Sequence, residues 1–296
     1  MGGLRQLLLA VGIAASVGAV EAPLPAVSVR LLVESTTVAP GQSFRAGVLF
    51  TLADDWHLYW RNPGEAGLPP RIQWRVPPGW AVRDSPWPAP QRFADGTLVS
   101  YGYATEVLLS AVISVPAAAA AESLEIGADV SWLGCQEACV PGRASLSQRL
   151  SIVPAPTVPA PAAAALFDRF EARWPRPSDQ WQVAAWRQAD GIVVSFRPTA
   201  ATAWPVAAGM EFFPAEPGLV ASLPERTAGG PAAEARVRLQ TLTEEHRALG
   251  QVVGVLVLPP PPAPGGSGTT VLVDATLADG PDRPATPPPR AKENAR

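Results

Sequence analysis

The sequence predicts an all-β protein built as two β-sandwiches in tandem, with a short helix near the linker between them. Three observations lead there. The 296 residues hold 35 prolines and 25 glycines, too many turn formers for long helices. Short runs of alternating apolar and polar residues recur between those turns. A proline-alternating run, Pro154-Ala-Pro-Thr-Val-Pro-Ala-Pro161, then divides the chain into two parts of domain size.

The first 22 residues read as a secretory signal peptide. Arg5 provides a positive start, Leu7 to Val20 an apolar core of about 14 residues, and Val20-Glu21-Ala22 a cleavage site. That core is short for a membrane span, which takes about 20 residues. No cysteine follows it, which argues against a lipid anchor. The rest of the chain is expected outside the cytoplasm, where disulfides persist.

Residues 26–153 form the first predicted domain. Val27 to Val33 alternates as a half-buried strand does, Pro40-Gly41 turns the chain, and Ser43 to Leu52 is a second strand. Further strands are expected at His57–Trp60, Ile72–Val76, Glu106–Val115, Ser123–Trp132 and Ala144–Val153. Seven or so short strands over this length suit an immunoglobulin-like sandwich. Residues 154–165 form the Pro/Ala linker. Ala162 to Trp174 fits a helix with Leu166, Phe167 and Phe170 on one face and Pro175 as its stop. A second, smaller immunoglobulin-like sandwich is expected over 166–279. Its strands lie near 180–186, 191–197, 210–213, 235–242, 251–258 and 269–276, and a Pro-rich tail over 280–296 is expected to be disordered.

The net charge of −3 supplies no reason to expect a nucleic-acid partner. No phosphate loop, His-Glu-x-x-His or Gly-x-Ser-x-Gly motif occurs, and the ten tryptophans fall mostly in strand patterns, where core packing is their default role. Thr243-Glu244-Glu245-His246 reads as a solvated turn.

Chemistry concentrates in Trp132-Leu133-Gly134-Cys135-Gln136-Glu137-Ala138-Cys139-Val140-Pro141-Gly142, which holds the only two cysteines. A disulfide between them would close a ring so small that loop entropy gives roughly 2 kcal/mol, against about 4.7 for a hundred-residue loop. It would be a weak staple. A strand pattern before the pair and Pro-Gly after it favour a hairpin in which Cys135 and Cys139 face each other across a three-residue loop. Three roles are compatible with this spacing: an exchangeable redox pair, a static disulfide, or two thiolate ligands for Cu(I). Supporting metal ligands are scarce, with Met1, Met210, His57 and His246 the whole supply of methionine and histidine, so no metal or other cofactor is expected beyond the disulfide itself.

Four ordered blocks then resemble one family. The cysteine segment is similar to the redox hairpin of the amino-terminal periplasmic domain of the thiol:disulfide interchange protein DsbD, and more closely to its sister ScsB-like family, with Cys-x-x-x-Cys-Val-Pro. Trp56-His57-Leu58-Tyr59-Trp60-Arg61-Asn62-Pro63-Gly64 resembles the family's Trp-His-x-Tyr-Trp-x-Asn-Pro-Gly segment. Pro86-Trp87-Pro88-Ala89-Pro90 and Tyr101-Gly102-Tyr103 resemble two more. The resemblance implies an immunoglobulin-like periplasmic domain whose Cys135–Cys139 pair takes electrons from a membrane-embedded thiol reductase. The pair would then reduce periplasmic thioredoxin-like proteins. It also implies a cap over the sulfurs, aligned with Leu98, Val99, Ser100, Tyr101 and Gly102, and an aromatic near them at Tyr59. The membrane helices and thioredoxin-like domain of the full family architecture have no counterpart in these residues, so the electron source is expected on another chain. The alternative is a non-enzymatic binding or copper-tolerance module using the same two cysteines.

Overall fold

In the computed structural model the described residues are 26–120, 123–155, 161–189, 191–199, 209–227, 234–241, 244–259 and 268–279. The predicted signal peptide, the tail and most of the proline run lie outside them.

Residues 27–152 fold into two facing sheets. In chain order the strands are β1 (Val27–Val33), β2 (Thr37–Val38), β3 (Ser43–Leu52), β4 (His57–Gly64), β5 (Arg71–Arg75), β6 (Ala81–Asp84), β7 (Gln91–Asp95), β8 (Leu98–Ala104), β9 (Glu106–Ser114), β10 (Ser123–Cys135) and β11 (Cys139–Ile152). One sheet has the order β1-β3-β9-β6; the other runs β2-β11-β10-β4-β8-β7, with β5 beside the middle of β10. Val48, Phe50 and Leu109 of the first sheet meet Leu58, Trp60, Tyr103 and Val130 of the second in one core.

Strand β3 is apolar at both parities, and the second parity has its own cover. Leu49 and Leu108 point away from the sandwich and pack against Phe167 and Phe170 of helix α1 (Pro161–Glu171). Proline at its first position and four alanines suit a helix start, and Phe167 and Phe170, three apart, share a face. Arg45 of β3 holds it there, with 2.7 Å to Asp168, 3.0 Å to Glu171 and 2.5 Å to Glu34. The helix thus packs on the first sandwich.

The second sandwich comprises β12 (Trp181–Gln188), β13 (Gly191–Pro198), β14 (Glu211–Pro214), β15 (Leu219–Ala221), β16 (Glu225–Thr227), β17 (Glu234–Thr241), β18 (Gln251–Leu258) and β19 (Thr269–Ala278). Leaves β14-β18-β19 and β12-β13-β17-β15 join through a short parallel pairing of β12 with β19, and β16 adds to β17. Phe196, Phe212, Val237, Leu256 and Val273 fill the space between them. Glu244–Ala248 is a 3-10 turn, not a solvated loop: His246 is buried, with Nε2 2.9 Å from the Pro217 carbonyl.

The two sandwiches share a core. Val252, Leu256 and Leu258 of β18 face inward, while Val255 and Phe213 join the core of the first domain. Phe213 lies edge-on to Tyr101 at 5.2 Å and to Trp60 at 6.5 Å. Asn62, fully buried, donates to the carbonyls of Pro214 (2.8 Å) and Leu219 (2.9 Å) and accepts from Gly64 N–H. The Tyr101 hydroxyl accepts from Ala221 N–H at 2.8 Å, and Arg92 donates to the Ala221 carbonyl at 2.9 Å. Among the described residues, no helix is long and apolar enough to cross a membrane.

Candidate functional site: a half-buried disulfide under an aromatic cover

Strands β10 and β11 pair in unbroken antiparallel register from Ser123↔Ser151 to Cys135↔Cys139. The hairpin therefore ends on the two cysteines, whose Cα atoms are 4.1 Å apart and whose sulfurs are bonded. Gln136, Glu137 and Ala138 make the exposed loop. The sulfurs differ in access: Cys135 is 2% exposed, whereas Cys139 is exposed.

Neighbouring strands supply what covers Cys135. It pairs with His57 of β4, and His57 with Ala104 of β8; two residues along, Tyr59 pairs with Gly102. Because side chains alternate across a sheet, His57 and Tyr59 stand on the face of Cys135. The Tyr59 hydroxyl is 3.2 Å from Cys135 Sγ, to which it donates, and 3.7 Å from Cys139 Sγ. The His57 ring lies edge-on to Tyr59 at 5.1 Å and stacks on Phe93 of β7 at 4.7 Å.

Two glycines border this stack. Gly102 has no side chain where the Phe93 ring crosses β8, and a Cβ there would overlap the Leu58 carbonyl. Gly67 has φ +111°, and its Cβ would overlap the Tyr59 ring, so the loop after β4 closes tightly over that tyrosine.

Burial sets the protonation of both polar members. It raises the Tyr59 phenol above its ordinary value, so the group remains an O–H donor. It lowers the His57 imidazole, favouring the neutral ring. His57 Nε2 is buried without a hydrogen-bond partner among the described residues. The arrangement holds one sulfur out of solvent beside a proton donor and presents the other. A disulfide so placed can be opened from the Cys139 side, with Cys135 leaving as a thiolate that receives the Tyr59 hydrogen bond.

Residues 28–151 match the family described as thiol:disulfide interchange protein DsbD, N-terminal. The first sandwich is a DsbD amino-terminal domain. Among solved structures, the chain is similar to the N-terminal periplasmic domain of ScsB from Proteus mirabilis, at 18% identity and TM-score 0.62 over 88% of this chain and 97% of that one. At that identity the likeness shows the fold, and it extends beyond the DsbD-type sandwich into the second. A protein of unknown function from Porphyromonas gingivalis W83 aligns over 85% of this chain and all of its own, at 12% identity, but its TM-score of 0.25 carries no argument. No curated protein matches the sequence.

Within this DsbD-type domain, the five residues expected as a cap are spread over two faces of a strand. Leu98 to Gly102 belong to β8, paired with β7 and β4. Leu98, Ser100 and Gly102 alternate onto the face of Cys135, and Leu98 is exposed at the hairpin tip. Val99 and Tyr101 alternate onto the other face. Val99 N–H donates to the Glu65 carboxylate at 2.6 Å, and Tyr101 lies under the second sandwich, away from the sulfurs. Beside Tyr59, the aromatics on the disulfide side are His57 and Phe93, neither of which the sequence marked as a site residue. The Tyr-Gly-Tyr spacing held a usable signal for them, since glycine inside a strand marks a close approach by another group.

Proposed function

We propose that the chain is a periplasmic thiol-disulfide exchange module in which Cys135–Cys139 accepts electrons from a membrane-embedded thiol reductase and passes them to oxidised thioredoxin-like proteins. The observation that carries this reading is the asymmetry of the pair: an exposed Cys139 joined to a buried Cys135 that faces the Tyr59 hydroxyl. The DsbD-type fold and the periplasmic ScsB domain of similar architecture support it.

In the loading half-reaction a donor thiolate attacks Cys139 Sγ. The Cys135–Cys139 bond breaks, and Cys135 leaves as a thiolate. The donor's second thiolate then attacks its own sulfur in the mixed disulfide and releases Cys139. Two electrons pass from the donor dithiol, which becomes a disulfide, and two protons from solvent complete the thiols. Delivery reverses the sequence: Cys139 attacks the acceptor disulfide, and Cys135 resolves the mixed disulfide.

Equilibration in thiol buffers of set potential tests the reading. Structural disulfides of exported proteins have potentials below about −300 mV, whereas exchange proteins lie near −120 to −270 mV. A midpoint above about −300 mV is expected; a pair that remains oxidised below that poise is a structural disulfide, and the proposal fails.

A further inference from the structure

We propose that the sheet face beside the disulfide carries a groove that docks an acidic, extended segment of the protein thiol with which the pair exchanges. This rests on the exchange reading above and adds to it how a partner is recognised.

The register of three strands defines the groove. Ser131 of β10 pairs with Arg71 of β5 on one side and Arg143 of β11 on the other, forming one row. The next row, away from the disulfide, is Gln73, Asp129 and Ser145. These six residues line an open groove of about 630 Å³. Ser131 and Asp129 stand an even number of residues from Cys135 in a strand without a bulge, so they share its face. At about 3.3 Å per residue, the arginine row lies roughly 13 Å from the disulfide. Strands about 4.8 Å apart place the two arginine Cα atoms roughly 10 Å from each other, wide enough for one extended chain between their side chains.

The charge of the groove comes from those two arginines. Arg75 is engaged: its guanidinium crosses the bare Cα of Gly127 to reach Asp129, Ser145 Oγ at 2.7 Å and the Leu146 carbonyl at 3.1 Å. Asp129 is thereby neutralised, and Ser145 and Arg75 hold its carboxyl below the usual range. The side chains of Arg71 and Arg143 are exposed and have no hydrogen-bond or ion-pair partner among the described residues. A chain of net charge −3 therefore carries two unpaired guanidiniums in a groove on the face of its disulfide. An extended segment running from the sulfurs into the groove meets them about four residues from the cysteine it presents, where carboxylates can pair with both guanidiniums.

The test uses the whole chain and two sets of peptides. A fluorescein-labelled, cysteine-free peptide of alternating Glu and Gly, and its Lys counterpart, report binding to the oxidised protein by anisotropy. The Glu peptide is expected to bind about tenfold more tightly at low salt and to lose that advantage at about 0.5 M salt. Arg71→Glu with Arg143→Glu should reverse the preference, and the Arg71→Gln, Arg143→Gln pair should abolish it. These side chains are exposed and unpaired, so folding is expected to be unaffected; circular dichroism checks this. Equal binding of the two peptides, or binding that survives both double variants, overturns the groove. A second set, carrying one cysteine four residues from Glu or from Lys, reports exchange, with dithiothreitol as a small thiol blind to the groove. If dithiothreitol opens the disulfide and both cysteine peptides react at one rate, the groove is overturned and the exchange reading stands. If the Glu peptide binds through the arginines but no thiol opens the disulfide, the groove stands and the exchange reading fails.

Discussion

Tyr59→Phe removes one oxygen and leaves the ring that covers Cys135. The ring is 5% exposed and wedged against Gly67, so the variant retains the cover and loses only the hydroxyl that donates 3.2 Å to Cys135 Sγ. Disulfide sulfur is a weak acceptor and thiolate a strong one, so the bond matters most once Cys135 has left. A hydrogen bond to a charged group contributes about 1.5–3 kcal/mol, and a sulfur acceptor belongs near the lower end. At 1.36 kcal/mol per pKa unit, about 1.5 kcal/mol raises the Cys135 thiol by about one unit. With roughly half of that charge developed in the transition state, reduction slows about threefold to fourfold. Two assays read this: the rate of dithiothreitol reduction followed by thiol alkylation, and titration of thiolate absorbance in reduced Cys139→Ser with and without Tyr59→Phe. An unchanged Cys135 titration refutes the reasoning. Faster reduction also refutes it, because the hydroxyl would then serve to hold the cover shut.

Three further outcomes are expected. Asn62→Ala leaves the Pro214 and Leu219 carbonyls and the Gly64 N–H without their partner, a loss of about 3 kcal/mol in urea unfolding at about 1 kcal/mol or more for each. Gly67→Ala puts a methyl group into the Tyr59 ring at a positive φ, so the cover opens and dithiothreitol reduction accelerates while stability falls by about 1–3 kcal/mol. His57 has its pKa lowered by burial. Its contribution is therefore complete above the unfolded value of about 6.5 and is lost as pH falls through the folded value. Urea midpoints measured from pH 8 to 5 should decline on acidification and flatten in His57→Phe.

The hairpin that ends on the cysteines was legible in the sequence because a long alternating strand, a three-residue gap and Pro-Gly leave few other geometries. Strands β1, β3 and β18 were legible to the residue, since each is a continuous apolar-rich run bounded by turn residues. Strand β8 was hidden by its context. Leu98-Val-Ser-Tyr-Gly-Tyr-Ala104 alternates as a strand does, but similarity to a cap segment assigned all of it to the cover over the sulfurs, and only the pairing register places Tyr101 on the opposite face. The meeting of the two sandwiches left a partial trace. Strand β18 is apolar at both parities, as a strand buried on both faces must be, yet nothing local says that one face belongs to another domain. Helix α1 posed the same problem from the other side: Leu49 and Leu108 needed a cover, and the proline run concealed which sandwich would receive it. Phe93 meets His57 beside Gly102, across strands that pair only in the fold, a relation that no spacing within one segment records.

The central claim is that Cys139 is the sulfur through which electrons enter and leave. Reduced Cys135→Ser and Cys139→Ser variants, each incubated with an oxidised thioredoxin-like protein and resolved on non-reducing gels, test it directly. Cys135→Ser, which retains the exposed thiol, is predicted to accumulate the mixed disulfide, and Cys139→Ser, with its thiol 2% exposed, to form about tenfold less. Equal trapping by the two variants, stronger trapping by Cys139→Ser, or none by either contradicts the account.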